Sequence, residues 1–184
     1  IMETEILPRI STHFKLPVIV HQIRKVVGIG ESYLSDLIQD WELQLPSHLH
    51  LAYLPSLGIV KLRLTGFGED KEQLNAAIDD AFNKVMPLIQ SYVFGRENDE
   101  LARVVGQLLI EKQATLSVAE SCTGGYLAHQ FTQHSGSSAY FQGGIVSYAN
   151  EVKVNQLGVS QEILDLDGAV SDTCVMAMAA GARK

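Results

Sequence analysis

The chain has 184 residues, of which 46% are apolar and 19% are charged, and its formal net charge is −7. This length and composition are typical of a globular protein with one large domain or two small ones. The acidic balance argues against a general affinity for nucleic acid or anionic membranes, because proteins that bind them usually present a basic face. No apolar run is long enough to span a bilayer, so we expect a cytoplasmic protein.

Metal-binding and disulfide-rich proteins are also disfavoured by the sequence. The two cysteines, Cys122 and Cys174, lie far apart and form no C-x-x-C pair. The six histidines show no ligand spacing, although His48 and His50 alternate on a predicted strand. We therefore expect neither a metal site nor a cofactor.

The first half of the chain predicts a small α+β unit. Apolar spacing indicates helices over 2–14, 33–43 and 71–92 and strands over 17–27, 49–54 and 59–64. After the opening helix the order is β-α-β-β-α, which can bury one sheet face under two helices. Trp41 on the second helix is expected in the core or at an interface, and 94–98 is the predicted linker.

The second half alternates helix and strand, which predicts an α/β layered domain. Helices are expected over 101–111, 124–133, 150–157 and 171–184, with strands over 114–119 and 142–148 and a further turn over 161–165. Ser171 is the predicted cap of the last helix. Two strands do not make a stable core, so this domain is expected to be incomplete within the chain.

A glycine-containing turn follows the first predicted strand of the second half. The segment Ala119–Gly125 reads AESCTGG and leads into a predicted helix. Backbone amides at a helix start suit an anion or a developing oxyanion. The alternative is a tight turn in which Thr123 only caps the helix.

A second candidate site lies between Gly136 and Lys153. Asn150 is predicted to cap a short helix, which places Lys153 in the first turn, where the helix dipole disfavours a cation. A neutral lysine amine can act as a general base and activate a serine. The alternative is a surface lysine, a capping serine and a packed tyrosine, because spacing alone does not join Ser138 to Lys153.

Four motifs in this order resemble the C-terminal domain of the CinA family of competence/damage-inducible proteins. They are AESCTGG at 119–125, GSSAYFQGGIVSYANEVK at 136–153, LGV at 157–159 and GAVS at 168–171. Three upstream motifs resemble the middle, KH-type domain of that family: IGES at 29–32, LAYLPS at 51–56 and VKLRLTGFGED at 60–70.

The resemblance implies a domain order. Residues 1–14 would end a molybdopterin-binding-like domain, 15–94 would form a KH-type α+β domain, and 97–184 would form the first part of the C-terminal amidohydrolase domain. The middle segment has no G-x-x-G clamp at its helix–helix turn, so we do not expect nucleic-acid binding.

The C-terminal domain of this family is known as a nicotinamide mononucleotide deamidase. The resemblance therefore implies hydrolysis of a carboxamide to nicotinate mononucleotide and ammonia. Ser138 would attack the carboxamide carbon, Lys153 would accept its proton, and Tyr148 would relay or orient it. The substrate pocket would be lined by Glu120, Ser121, Thr123, Gly124, Gly125 and Ser137.

A second hypothesis is not catalytic. In it, the chain joins the enzymatic domains of a longer protein and self-associates as a homodimer or higher homo-oligomer. The expected partners are thus a small pyridine nucleotide and other copies of the chain, without a membrane. Because the second domain is expected to be incomplete, we expect activity of the intact protein rather than of this chain alone.

Overall fold

The computed structural model describes residues 2–14 and 17–184, and the chain divides into two compact units between Asp99 and Glu100. The first unit opens with an exposed helical segment, π-helical over Met2–Ile6 and α-helical over Leu7–His13 (α1). This agrees with the helix predicted over 2–14. Its origin in a preceding molybdopterin-binding-like domain stays a prediction.

The first unit contains a four-stranded antiparallel sheet in the order β2-β3-β1-β4. Its strands are β1 (Val18–Val27), β2 (Leu49–Ser56), β3 (Ile59–Gly68) and β4 (Val93–Arg96). Its helices are α2 (Glu31–Glu42) and α3 (Lys71–Ile89). The order is the β-α-β-β-α-β arrangement of the split βαβ motif, and the predicted α+β class is confirmed.

Strand β4 lies where the sequence predicted a linker. Val93 pairs with Val26 of β1, and the Val27 amide donates a hydrogen bond to the Tyr92 carbonyl. At the end of the strand, the Arg96 amide donates to the Asp99 carboxylate. Residues 94–96 of the linker predicted over 94–98 therefore belong to a strand. Four residues are too few to show a strand period in the sequence.

One face of this sheet is covered by α2 and α3. The core contains Leu34 and Ile38 from α2 and Ile78 and Phe82 from α3, all fully buried. Burying an apolar side chain of this size contributes about 1.5–3 kcal/mol. Trp41 is 9% exposed and donates from Nε1 to the Ala81 carbonyl, which confirms its expected place in the core.

The second unit is an α/β domain, as predicted, with two parallel strands. Its strands are β5 (Leu116–Glu120) and β6 (Phe141–Val146). Its α-helices are α4 (Leu101–Glu111), α5 (Tyr126–Thr132), α6 (Asn150–Leu157), α7 (Gln161–Leu166) and α8 (Asp172–Ala182). A short 3₁₀ turn, Ser137–Ala139, precedes β6.

Two predictions about the helices of the second unit were wrong and one is confirmed. The expected turn over 161–165 is helix α7, whose N-cap Ser160 accepts a hydrogen bond from the Ile163 amide. The cap of α6 is Ala149 rather than Asn150. Ser171 does cap α8, because its hydroxyl accepts from the Cys174 amide.

The second unit has three layers, with helices on opposite faces of the two-stranded sheet. Gly144 faces Ala128 of α5, and a Cβ added at Gly144 would lie 3.3 Å from the Ala128 Cβ. On the other face, Ala119 and Ile145 pack against the cluster that contains Cys174 and Met178 of α8. None of the helices in the described parts of the chain combines the length and apolarity that a membrane span requires.

Candidate active site

The candidate site lies at the carboxyl ends of the two parallel strands. Ser121 follows β5 directly, and the segment from Ser147 to Ala149 joins β6 to helix α6, which carries Lys153. Because β5 and β6 are parallel, their carboxyl ends meet at one edge of the sheet. Open α/β sheets generally bind their ligands at this edge.

Lys153 connects the two strand ends. Its side chain is 1% exposed. The Nζ atom lies 2.6 Å from the Ser147 carbonyl oxygen, 3.2 Å from the Tyr148 carbonyl oxygen and 3.2 Å from the Ser121 Oγ. No carboxylate oxygen of the described residues forms an ion pair with it. The lysine is therefore held by neutral oxygen atoms alone.

The chemistry of these three partners orients the amine. Carbonyl oxygens only accept hydrogen bonds, so Ser147 and Tyr148 each require an N–H donor from Nζ. A neutral amine has two N–H donors and one lone pair. In the structure Nζ donates to all three oxygens, the Ser121 Oγ included. An amine that gives up its third proton keeps both carbonyl bonds and presents its lone pair to the Ser121 hydroxyl, which is the arrangement that a serine nucleophile and its general base require.

Ser147, which was not among the predicted site residues, holds the lysine close to strand β5. Its side chain is fully buried. Its amide and hydroxyl both donate to the Glu120 carbonyl, at 2.7 and 3.1 Å. These two bonds hold the Ser147 carbonyl, and thus Nζ, beside Ser121. The available signal was the position of Ser147 near the end of the strand predicted over 142–148.

Glu120 has a different role from the substrate contact that the sequence predicted. It is 3% exposed, and its carboxylate accepts hydrogen bonds from the amides of Gly125, Leu127 and Ala128 at 2.8–3.1 Å. These are the first free amides of helix α5, so the carboxylate occupies the place proposed for an anion. Glu120, and not Thr123, is therefore the main cap of this helix.

The pKa of Glu120 reflects two opposing effects. Burial raises the pKa, but the hydrogen bonds from Ala128, Leu127, the Thr123 hydroxyl and Gly125 outweigh it, so the pKa lies below the ordinary value of about 4.5. The ionised carboxylate thus stabilises the fold above that ordinary value. This contribution disappears as the pH falls through the lowered pKa.

Substitution of Glu120 by glutamine should show this pH dependence. We expect Glu120→Gln to lower the free energy of unfolding by about 1–3 kcal/mol at pH 7, because charged hydrogen bonds are lost. The difference from the unsubstituted chain should shrink as the pH falls below about 4.5. Urea unfolding of both proteins from pH 7 to pH 3.5 measures it. A difference independent of pH would contradict the capping role of the carboxylate.

The turn that follows Ser121 leaves two backbone amides available. Gly124 and Gly125 have φ angles of +60° and +98°, which a glycine adopts without strain. Within the described part of the chain, the Cys122 and Thr123 amides donate no hydrogen bond to a protein acceptor. The amide after a nucleophile often supplies an oxyanion hole, so Cys122 is well placed for that function.

Ser138 is not joined to Lys153. It is exposed in the 3₁₀ turn before β6, together with the half-buried Ser137, whereas Lys153 follows the other end of that strand. Six residues of β-strand span about 20 Å. No hydrogen bond among the described residues links the two side chains. The pairing predicted for Ser138 is thus replaced by a pairing of Lys153 with Ser121.

Tyr148 reaches the site through its backbone. Its carbonyl oxygen accepts from Lys153 Nζ, while its side chain is 76% exposed. The phenol makes no hydrogen bond to the described residues. The structure therefore shows how the main chain of Tyr148 orients the lysine, and leaves the proposed relay by its hydroxyl a prediction.

Comparison with known families assigns both units. Residues 98–184 match the model described as the CinA C-terminal domain, and residues 21–95 match that of the damage-inducible protein CinA KH domain. A CinA-like protein from Cytophaga hutchinsonii is 48% identical over 176 residues. A putative competence-damage inducible protein from Halothermothrix orenii is 37% identical over 183 residues.

The two relatives are longer than this chain. The first alignment covers 96% of the chain and 42% of the Cytophaga protein, and the second covers 99% and 43%. Thus the chain spans less than half the length of these curated relatives. Among solved structures, the competence/damage inducible protein CihA from Agrobacterium tumefaciens is 43% identical, with a TM-score of 0.44, over 45% of this chain and 50% of that one.

Proposed function

Because the chain belongs to the CinA family, we propose that the intact protein hydrolyses the carboxamide of nicotinamide mononucleotide, with Ser121 as nucleophile and Lys153 as general base. The observation that carries this proposal is the 3.2 Å contact between the buried Lys153 Nζ and the Ser121 Oγ. The choice of substrate comes from the resemblance to the family's deamidase domain.

In the first half of the reaction, the Ser121 Oγ attacks the carboxamide carbon while its proton passes to Lys153 Nζ. A tetrahedral intermediate forms, and the Cys122 amide can donate to its oxyanion. Lys153 then returns the proton to the departing nitrogen. The C–N bond breaks, ammonia leaves, and the acyl group remains as an ester of Ser121.

In the second half, water replaces ammonia in the same position. Lys153 Nζ accepts a proton from the water as its oxygen attacks the ester carbon. The ester C–O bond breaks, and Ser121 regains its proton from Lys153. The product is nicotinate mononucleotide. Every proton transfer uses the same amine, whose two carbonyl contacts hold it in place through both halves.

An assay of ammonia release tests the proposed activity. The intact protein is incubated with nicotinamide mononucleotide and, in parallel, with free nicotinamide. We expect ammonia and nicotinate mononucleotide in equal amounts from the nucleotide, and a much slower reaction with nicotinamide, which lacks the ribose phosphate. No ammonia from any pyridine nucleotide would contradict the proposed function.

Self-association is a second candidate function. Large apolar side chains of the second unit are exposed on both sides of its sheet: Tyr126 66%, Leu127 43% and Val146 46% on the side of α5, and Val175 53% and Met176 72% on α8. Exposed apolar patches often mark protein interfaces. Light scattering of the chain tests this candidate, and a strictly monomeric mass at 100 µM would count against it.

A further inference from the structure

A cavity of the second unit lies away from the candidate active site. Its volume is about 470 Å³, which is a common size for a small-molecule site. Residues of helix α4, residues 133–136 and Tyr140 line it, and we call it the α4 cavity. Tyr140 directly precedes β6, whereas Lys153 follows the other end of that strand. A strand of this length spans about 20 Å, so the cavity is separate from the candidate active site.

The phenol of Tyr140 is a buried donor that has no partner. The residue is 4% exposed, and its ring packs edge to face on that of Phe131. The end of the ring lies against α4, where a Cβ added at Gly106 would be 2.5 Å from Oη. These contacts fix the ring, but its hydroxyl forms no hydrogen bond with any residue that the structure describes. Because buried hydroxyls usually have a partner, the Tyr140 hydroxyl is available to a ligand in the cavity.

His134 has the same deficit on the other side of the cavity. Its Nε2 atom is buried and has no hydrogen-bond partner in the described parts of the chain. Glu100 Oε2 lies 3.3 Å away but is not aligned for a hydrogen bond, and the Glu100 side chain is 59% exposed. With a proton on Nε2, His134 can therefore donate to an acceptor bound in the cavity, which would remove the cost of the unpaired group.

Arg103 and two main-chain amides add further donors. Arg103 forms no ion pair with a carboxylate of the described residues. The amides of Ser135 and Gly136 donate to no protein acceptor within residues 2–14 and 17–184. Gly136 has a φ angle of +84° and lines the cavity with main-chain atoms, since it has no side chain. Successive amides in such a turn commonly bind anions.

We propose that the α4 cavity binds a small organic phosphate, whose phosphate group accepts from Arg103, His134, Tyr140 and the amides of the Ser135–Gly136 turn. No aspartate or glutamate lines the cavity. A phosphate monoester offers three strongly accepting oxygens where a carboxylate has two, and this larger number matches the set of unused donors.

The rest of the lining suits the organic part of such a ligand. Gln107 presents a side-chain amide that can bind hydroxyl groups, and Ile110 presents apolar surface. A sugar phosphate combines these features with the phosphate group. The cavity shares no residue with the site of Ser121 and Lys153, so binding there is independent of the proposed amidase reaction.

NMR titration of the whole isotope-labelled chain with ribose 5-phosphate tests the proposal. We expect the amide signals of Ser135 and Gly136 to shift with a Kd of about 0.1–1 mM. Free ribose should leave both signals unchanged. Inorganic phosphate should bind at least about threefold more weakly, because it makes no contact with Gln107 or Ile110. Equal affinity for the two phosphates would overturn the assignment to an organic phosphate.

Two substitutions locate the binding. Arg103→Gln should weaken it at least about fivefold, because a charged donor is lost. Tyr140→Phe removes only the hydroxyl and should weaken it by about twofold to tenfold. Arg9→Gln and Tyr33→Phe are the matched controls, because both residues are exposed on helices of the first unit. Both controls should bind as the unsubstituted chain does.

The proposal is overturned if about 10 mM ribose 5-phosphate shifts neither signal, or if both cavity variants bind as tightly as their controls. Shifts confined to the Ser121–Gly125 turn would also overturn it, because the ligand would then occupy the candidate active site. Circular dichroism checks that every variant is folded.

Discussion

Replacement of Ser121 by alanine in the intact protein is expected to lower kcat for ammonia release from nicotinamide mononucleotide by at least about 10³-fold. The reason is that the Ser121 Oγ lies within hydrogen-bond distance of the Lys153 amine, at 3.2 Å. Without it, the carboxamide has no nucleophile activated by that amine. Steady-state kinetics measure the change, and circular dichroism tests whether the variant is folded.

Ser138→Ala is the matched control for this prediction. Both substitutions remove one serine hydroxyl, but Ser138 is exposed before β6, at the other end of the strand from Lys153. We expect this variant to keep kcat within about threefold of the unsubstituted enzyme, since substitutions at exposed positions have small effects. The reverse result, an inactive Ser138→Ala and an active Ser121→Ala, would refute the pairing of Ser121 with Lys153.

Two substitutions at Lys153 should separate its charge from its basicity. Lys153→Met keeps the length of the side chain but removes the amine, and we expect a loss of at least about 10³-fold in kcat. Lys153→Arg keeps a positive charge, but a guanidinium does not lose its proton in proteins. If Lys153 is the general base, the arginine variant should therefore be as inactive as the methionine variant.

Lys112→Met is the control for the loss of a lysine, because Lys112 is exposed at the end of α4. It should leave kcat unchanged.

Addition of a small primary amine to a Lys153→Ala variant should restore part of the activity in proportion to the concentration of the free base. An arginine variant with activity within tenfold of the original enzyme would show that Lys153 provides charge and not proton transfer.

Local patterns predicted most of the helices and strands because each pattern lies within one segment. The β-branched run from Val18 to Val27 and the apolar spacing of α3 gave the correct element types. Strand β4 was missed because Val93–Arg96 is short and is stabilised by pairing with β1, a contact distant in sequence. Helix α7 was missed because six residues make fewer than two helical turns, so the apolar spacing of a helix does not repeat within it.

The sequence analysis named the residues of the candidate site but did not predict which serine contacts Lys153. Lys153 was among the predicted catalytic residues and is buried in the structure, and Ser121, which its amine contacts, was included only as a pocket residue. A stricter use of the parallel arrangement would have paired the residues that follow the two strands. Ser138 precedes its strand, and therefore lies at the opposite end.

The sequence by itself determined the family, the class of each unit and the motifs that contain the site, because these depend on the order and spacing of residues along the chain. Only the tertiary structure decided which serine faces Lys153, that Glu120 caps α5, and that β4 pairs with β1. The contact of Ser121 with Lys153 and the pairing of β4 with β1 depend on strand direction and register, which bring together residues that are about 30 or more positions apart. The Glu120 cap depends on the turn after β5, which returns the amides of Gly125 to Ala128 to the carboxylate five to eight positions before them.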